Sequence, residues 1–445
     1  ALKKVTPEVR GSIRALAVSG QQHGFVALDA SNEVPAPVKL WCDTTTEVEC
    51  QEIMAAFGGR EACIEHLGNP ILPGYTASKI RWLKKFRPRV YDKLDGIALP
   101  HDYLNLYLTG ERCMEAGDAS GTGFLDITTR RWSSEMLKAV DPDRDLSACL
   151  PEIRTRNEPV GTVRDEAAEA LGLPAGIPVA IGGGDNMMGA IGTGNVRPGV
   201  ITMSLGTSGT VYACADQPVI DPVGHIAAFC ASTGGWLPLL CTMNCTVTTE
   251  IMRNLLGADI AAFEAKIASA PRGSDGVLTL PFFSGERTPD LPQARACIVG
   301  LTSRNTTPDN LLRSAVEGAT FALRFGIDEL TRLGIRGEEI VLTGGGVNSA
   351  QWRQLVADVC ATPVTVFQPD EGAAFGAALQ ALELLQPGGD FGDLARSHLV
   401  RDERRCCLPD DAAVRHYQDA YANYQQAVDA IRPLYETRNT QEATL

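Results

Sequence analysis

The 445-residue sequence is poor in aromatic residues, at 6%, and its acidic residues outnumber its basic ones to a formal net charge of −14. Such a balance repels nucleic acid and acidic membrane surfaces, so an anionic ligand must be held by a local site rather than by a global field. No uninterrupted apolar run approaches bilayer-spanning length, and no charged-then-apolar leader opens the chain. Thirteen cysteines are present, yet Cys-x-x-Cys never occurs. The closest pairs, Cys241 with Cys245 and Cys406 with Cys407, lack His or Cys neighbours at zinc-ligand spacing. An odd count without a pairing rhythm fits reduced thiols in the cytoplasm better than a secreted disulfide scaffold. Two nucleotide fingerprints are missing as well: the Gly-x-x-x-x-Gly-Lys-Ser/Thr phosphate loop, and a Gly-x-Gly-x-x-Gly following a strand.

What is present reads as a globular α/β protein, 44% apolar and 21% charged, long enough for two domains. Ser12–Ser19 reads as a strand running into the turn Gly20-Gln21-Gln22-His23-Gly24, with a second strand over Phe25–Leu28. Residues 75–110 carry helical periodicity, broken at Pro100. The Pro/Gly-rich stretch Pro174–Pro178 precedes a new strand, Val179–Ile181, and is the expected domain boundary. Val200–Leu205 and Thr210–Ala215 flank a small polar turn, a hairpin pattern. A long amphipathic helix is expected over Pro308–Leu333. After it come strand Ile340–Leu342, turn Gly344–Gly346, helix Ser349–Cys360, strand Val364–Phe367 and a helix opening at Glu371. The residues from 384 onward are polar, and helical over about Ala412–Ile431.

Four glycine-rich turns each follow a strand: Gly20–Gly24, Gly182–Asn186, Gly206–Gly209 and Gly344–Gly346. In an open α/β sheet, strand ends of one sense converge on a crevice, so the set points to one composite site. Each turn alone also reads as a plain loop with positive φ. Asp185, after Gly182-Gly183-Gly184, is the sharpest residue: phosphoryl transfer needs a carboxylate to accept the attacking hydroxyl's proton and a cation to neutralise phosphate charge. The same residue also reads as a cap for the helix from Asn186, and both can hold. Gly206, Thr207, Ser208 and Gly209 offer backbone amides and hydroxyls as a phosphate cradle, with a plain hairpin as the competing reading. His23 could donate to a sugar hydroxyl, although an isolated His is more often structural.

Together these residues resemble the FGGY carbohydrate kinases, over about Ile13–Leu385. Gly74-Tyr75-Thr76-Ala77-Ser78-Lys79-Ile80-Arg81-Trp82 is similar to the family's first signature. Ala296–Leu301, continuing through Asn310-Leu311 to Ser314–Glu317, is similar to the second. Ser204–Gly209, Ser284-Gly285-Glu286-Arg287-Thr288-Pro289 and Gly344–Gly346 agree further. The resemblance implies two actin-like, ribonuclease-H-type α/β domains with an interdomain cleft, spanning 1–176 (sugar-binding) and 177–385 (nucleotide-binding), then a polar and helical extension over 386–445. It implies ATP and Mg²⁺ as cofactors. Gln22, His23, Asp185 and Asn186 would face the sugar, Thr207 with its neighbours the phosphates, and Gly344, Gly345, Gly346 and Asn348 the adenosine. Asp185 would be the catalytic base and a Mg²⁺ ligand, directly or through water. Trp41 and Asp43 stand where xylulokinases of the family often have Trp-Asn-Asp-Gly-Arg; here the run is Trp41-Cys42-Asp43-Thr44-Thr45, and Gln22 replaces a common Met. Family members open with a hairpin carrying an Asp-x-Gly-Thr turn, which nothing before Ser12 supplies, and its omission from the sequence, rather than a defective kinase, is the expectation. The implied substrate is a pentulose, with no nucleic acid or membrane partner and a homodimer as an open assembly. Another ketose, a polyol, or sugar and nucleotide binding without catalysis are the alternatives.

Overall fold

The computed structural model describes residues 2–368 and 372–442. They form two compact units, the first over 1–197, 214–238 and 371–399, the second over 198–213, 239–370 and 400–445. Among the described residues no helix is long and apolar enough to cross a membrane.

In the first unit, β1 (Ser19–Gly20) leads to β2 (Val26–Leu28), then to helix α1 (Thr76–Phe86), β3 (Gly96–Ala98), α2 (Pro100–Thr109), α3 (Ala116–Ala119), β4 (Pro178–Val179), β5 (Gly183–Gly184) and α4 (Asp185–Gly192). The strands pair in twos, β2 antiparallel to β3 and β1 parallel to β5. Of the expected strand Ser12–Ser19, only part is laddered: Leu16 N–H donates to the Pro178 carbonyl at 3.0 Å, Ala180 N–H to Leu16 at 2.7 Å and Gly183 N–H to Val18 at 3.0 Å. Those bonds explain why Pro174–Pro178, expected as a boundary, lies inside this unit. Its following strand completes a parallel pair with the residues before the Gln22–His23 turn.

Pro100 starts α2 rather than breaking it. A proline loses no bond at the first helical position, and Asp102 Oδ2 accepts the Leu99 N–H at 2.9 Å, satisfying an amide just ahead of the helix. Leu106 and Leu108 turn inward while Leu104 stays exposed. Around these elements a core including Ile53, Ile71, Ile80, Leu99, Phe124 and Ile127 is buried, each such side chain contributing about 1.5–3 kcal/mol. Helix α4 packs on the helix Gly372–Leu385 backbone to backbone: a Cβ at Gly376 would lie 1.8 Å from the Met188 carbonyl oxygen. Glu371, expected to open that helix, lies outside the described residues.

The second unit is built on one five-stranded sheet. Its strands are β6 (Gly199–Leu205), β7 (Gly209–Ala213), β8 (Leu239–Thr242), β9 (Gly337–Thr343) and β10 (Val364–Thr365), in the order β8-β7-β6-β9-β10. The expected hairpin is present, with Leu205 opposite Gly209 and Gly206-Thr207-Ser208 as its loop. β9 runs parallel to β6, Thr343 opposite Ser204. After β8 comes helix α5 (Thr246–Leu255), and the long amphipathic helix is α6 (Pro308–Arg332), capped by Thr307 Oγ1, which accepts the Asn310 N–H at 3.2 Å. It buries Leu312, Ala315, Val316, Ala319, Leu323, Ile327 and Leu330 against the unit's core. α7 (Ala350–Cys360) starts at its Ser349 cap.

The expected 386–445 extension does not stay apart. Residues from Val400 belong to the second unit, Cys407 bridges to Val364, and α8 (Asp411–Glu442) places the Tyr417 hydroxyl 2.8 Å from Glu317 Oε1, to which it donates. Helix α8 outruns the expected 412–431.

Candidate active site

The turns after β1 and β5 lie side by side in the first unit, because their strands pair in register: Ser19 with Gly183 and Gly20 with Gly184. Asn186 Nδ2 donates to Gln22 Oε1 and to Asp185 Oδ1, and Gln22 Nε2 lies 3.0 Å from the Met187 sulfur. Gln22 is buried, so its amide spans the base of the two turns and fixes how Asn186 is presented. Asp185 is the first helical residue of α4, with Gly184 as the cap, and solvent reaches it. Its carboxyl therefore sits at the positive end of a helix without serving as the cap.

His23 is buried and holds a left-handed backbone, φ 57°, which a non-glycine residue keeps only when its surroundings fix it. Asp118 Oδ1 accepts its N–H at 3.0 Å and lies 3.4 Å from ring Nδ1, while Thr76 Oγ1 donates to its carbonyl at 3.2 Å. Tyr75 and Phe229 pack on the ring at 5.3 and 5.5 Å between centroids. Gly121 makes room for it: a Cβ there would lie 1.7 Å from Nδ1.

Behind His23 a run of buried charge follows. Asp118 Oδ2 is 3.0 Å from His101 Nδ1, and His101 Nε2 is 2.9 Å from Asp102 Oδ1. Glu115, at the start of α3, accepts the N–H groups of Gly117 and Asp118 at 2.7 and 2.6 Å, and the Ser232 hydroxyl at 2.9 Å. Burial would raise Asp118, but hydrogen bonds from His101 and His23 outweigh it and hold the carboxyl at about 2. For His101 burial opposes the charge, and the Asp102 and Asp118 carboxylates lift it well above the ordinary histidine value. Burial pushes Glu115 up to about 7. Asp185 is raised to about 6, first by the protein crowded around it and then by the Asp118 charge; since solvent still reaches the side chain, the upward direction is the part that matters.

Asp43 belongs to another polar group of the same unit, and Trp41, two residues before it, is half-buried. Asp43 accepts from Lys39 Nζ at 2.7 Å and from the Thr45 N–H at 3.0 Å. Burial acts to raise its carboxyl, but these partners bring it down to about 2. In the first signature, fully buried Lys79 folds back onto the carbonyls of Pro73 at 3.0 Å, Gly74 and Tyr75, closing the turn ahead of α1.

In the second unit the turns after β6 and β9 adjoin. The loop carbonyls are spent on α5: Thr207 O accepts Cys245 N–H at 3.0 Å and Gly206 O accepts Thr246 N–H at 2.9 Å. Thr207 itself is exposed, Ser208 half-buried and Gly209 buried in the hairpin. Gly344 has φ 89°, and a Cβ there would meet the Leu205 backbone at 2.8 Å, so only glycine lets the turns close up. Gly345 is exposed with open space around it, and Gly346 rests on Trp352. Exposed Asn348 is held by Arg405, whose Nη2 reaches both Asn348 Oδ1 and the Val347 carbonyl at 3.1 Å. Nearby in sequence order to none of these, Glu286 is buried, accepts the Met243 N–H at 2.7 Å, and is pushed by burial up to about 7.

Sequence reasoning passed over His101, Asp102, Glu115, Asp118 and Ser232. A signal did exist for Asp102: Pro at the first and Asp at the third helical position is a start pattern. Nothing local joins His23 to Asp118, 95 residues away.

The decisive finding is that the model of the FGGY carbohydrate kinase N-terminal domain matches residues 2–192, and that of the C-terminal domain residues 201–383. The chain belongs to the FGGY family of carbohydrate kinases. The N-terminal FGGY match runs past Pro174–Pro178 and takes in Asp185. Among FGGY relatives, xylulose kinase of Haemophilus influenzae is 42% identical over 93% of this chain and 83% of its own length. Xylulose kinase of Streptomyces coelicolor is 39% identical over 86% and 76%. The crystal structure of a xyloylose kinase from Brucella ovis superposes with a TM-score of 0.89 at 30% identity, covering 97% of this chain and 88% of that one. As an FGGY kinase, the protein takes a sugar and ATP as substrates, typically with a divalent metal.

Proposed function

We propose that the protein phosphorylates D-xylulose with ATP, forming D-xylulose 5-phosphate, with Asp185 as general base. The observation that carries this reading is the juxtaposition of Asp185 and Asn186 with the Gln22–His23 turn, through the Asn186–Gln22 hydrogen bond, in a chain 42% identical to a named xylulose kinase. Asp185 accepts the proton of the terminal sugar hydroxyl; the freed oxygen bonds to the γ-phosphorus as the bond to the β,γ-bridging oxygen breaks and ADP departs. A carboxyl lifted above the ordinary range but still ionised at neutral pH suits that task. His23 and Asn186 orient the sugar, Gln22 supports Asn186 from below, and Trp41 and Asp43 border the sugar.

In the same reading the amides and hydroxyls of Gly206–Gly209 hold the phosphates, and Gly344–Gly346 with Asn348 hold adenosine. A divalent metal, Mg²⁺, would neutralise phosphate charge when bound. Asp185 is the residue to hold it, directly or through water: neighbouring Asp118 is committed to His101 and His23, whereas Asp185 is open to solvent. One carboxylate with phosphate oxygens and water is a common Mg²⁺ environment. A cytoplasmic setting belongs to this reading, supported by thirteen free thiols.

An ADP-release assay of the full-length protein with D-xylulose, other pentuloses, polyols and glycerol tests the assignment. D-xylulose should give the highest kcat/KM; turnover of another sugar above it would overturn the substrate.

A further inference from the structure

We propose that Asp118 is a positioning residue for the sugar, holding His23 from behind and itself held by the buried His101–Asp102 pair. The inference rests on the reading that His23 meets the sugar, and it assigns work to three residues that reading leaves idle.

The geometry is one continuous line of polar atoms. One oxygen of Asp118 takes the His23 N–H at 3.0 Å and faces His23 Nδ1 at 3.4 Å; the other faces His101 Nδ1 at 3.0 Å. His101 Nε2 faces Asp102 at 2.9 Å, and Asp102 is anchored by the Leu99 N–H. The side chains of His101 and Asp118 are 0% exposed and that of Asp102 is 2% exposed. Unpaired ions so deep would be costly, so each charge must be matched by its neighbour. Alternating carboxylate and imidazole go part of the way, one His101 imidazolium with both nitrogens protonated lying between Asp102 and Asp118, and burial lifts the Asp102 carboxyl above its ordinary value. The groups facing His101 are Asp102 on its own helix, Asp118 and Glu115 from α3, and the His23 turn beyond Asp118; His101 also packs on Gly20, at the end of β1.

Two consequences follow for His23. Its left-handed backbone is kept by a charge-assisted bond from its N–H, stronger than a neutral one. Its ring must carry a proton on Nδ1 to meet Asp118, which makes Nε2 the nitrogen that would address the sugar. A side chain pinned in one orientation loses less freedom on binding.

Steady-state kinetics and ¹⁵N-histidine NMR on the full-length protein test this. Asp118→Asn should raise KM for the sugar by roughly 10- to 100-fold, the size of losing a hydrogen bond to a charged group, and leave KM for ATP within about twofold. In the unsubstituted protein the spectrum should show a proton on His23 Nδ1 and both His101 nitrogens protonated at neutral pH. In Asp118→Asn, His101 should lose its proton at lower pH than in the parent. Parallel rises in both KM values, or a His23 proton on Nε2 with Nδ1 bare in the parent, would overturn the proposal. The spectrum of the parent keeps the test alive should the variant not fold. His23→Ala separates the two readings: if it leaves the sugar KM unchanged, the sugar contact itself fails, whereas a raised KM there with none in Asp118→Asn refutes the positioning role alone.

Discussion

In the first unit the parallel strands end in side chains; in the second they end in bare backbone. After β1 and β5 the chain presents His23, Asp185 and Asn186, each fixed by another polar group such as Asp118 or Gln22. After β6 and β9 it presents Gly206, Gly344 and Gly345, with Thr207 as the exposed side chain between. Under the proposed function, the contrast matches what each half would recognise. Sugar hydroxyls need directed donors and acceptors, which demand buried support; phosphates are satisfied by amides that only small residues expose. Among the described residues the sheets differ too: the second unit has a five-stranded sheet beside its two-stranded pairs, the first two-stranded pairs alone. The first unit's site therefore depends more on side-chain contacts and helix packing.

The sharpest way to break the first half is Gly376→Ala. The new methyl would meet the Met188 carbonyl of α4, and overpacking against backbone should cost about 3 kcal/mol in urea denaturation, with kcat falling as α4 shifts. In the second half Gly344→Ala, strained at φ 89° and pressed on Leu205, should cost about 2 kcal/mol and raise KM for ATP while sparing that for the sugar. Acid unfolding isolates the charge run. Asp118 is held at about 2 against 3.8, so its stabilisation is complete above the unfolded value and is lost as pH falls through 3.8 towards 2. Asp118→Asn should flatten the stability curve over that window by about 2 kcal/mol, measured by denaturation at stepped pH. Gly345→Ala gives the smallest effect on the fold, within about 0.5 kcal/mol, because nothing lies near its Cβ. A rise in KM for ATP without loss of stability would mark Gly345 as a nucleotide contact.

What was legible in the sequence divides along the same line. The backbone site of the second unit is local: the hairpin Leu205–Gly209, helix α6 within one residue of its expected end, and the turn at Gly344 all follow from periodicity and glycine placement. The first unit's support is not local. His101 reads as an ordinary residue after a proline, and Asp118 as an acid in a featureless run, because their meaning depends on burial and on a partner 95 residues away. Pro174–Pro178 misled for a related reason: a Pro/Gly stretch looks like a linker until the strand after it is seen to pair with Leu16.

The proposed role of Asp185 as proton acceptor is tested most directly by kcat of Asp185→Ala beside its dissociation constant for D-xylulose. A fall in kcat of about 10² or more with sugar binding largely intact is the result predicted. Near-normal turnover in that variant would contradict it.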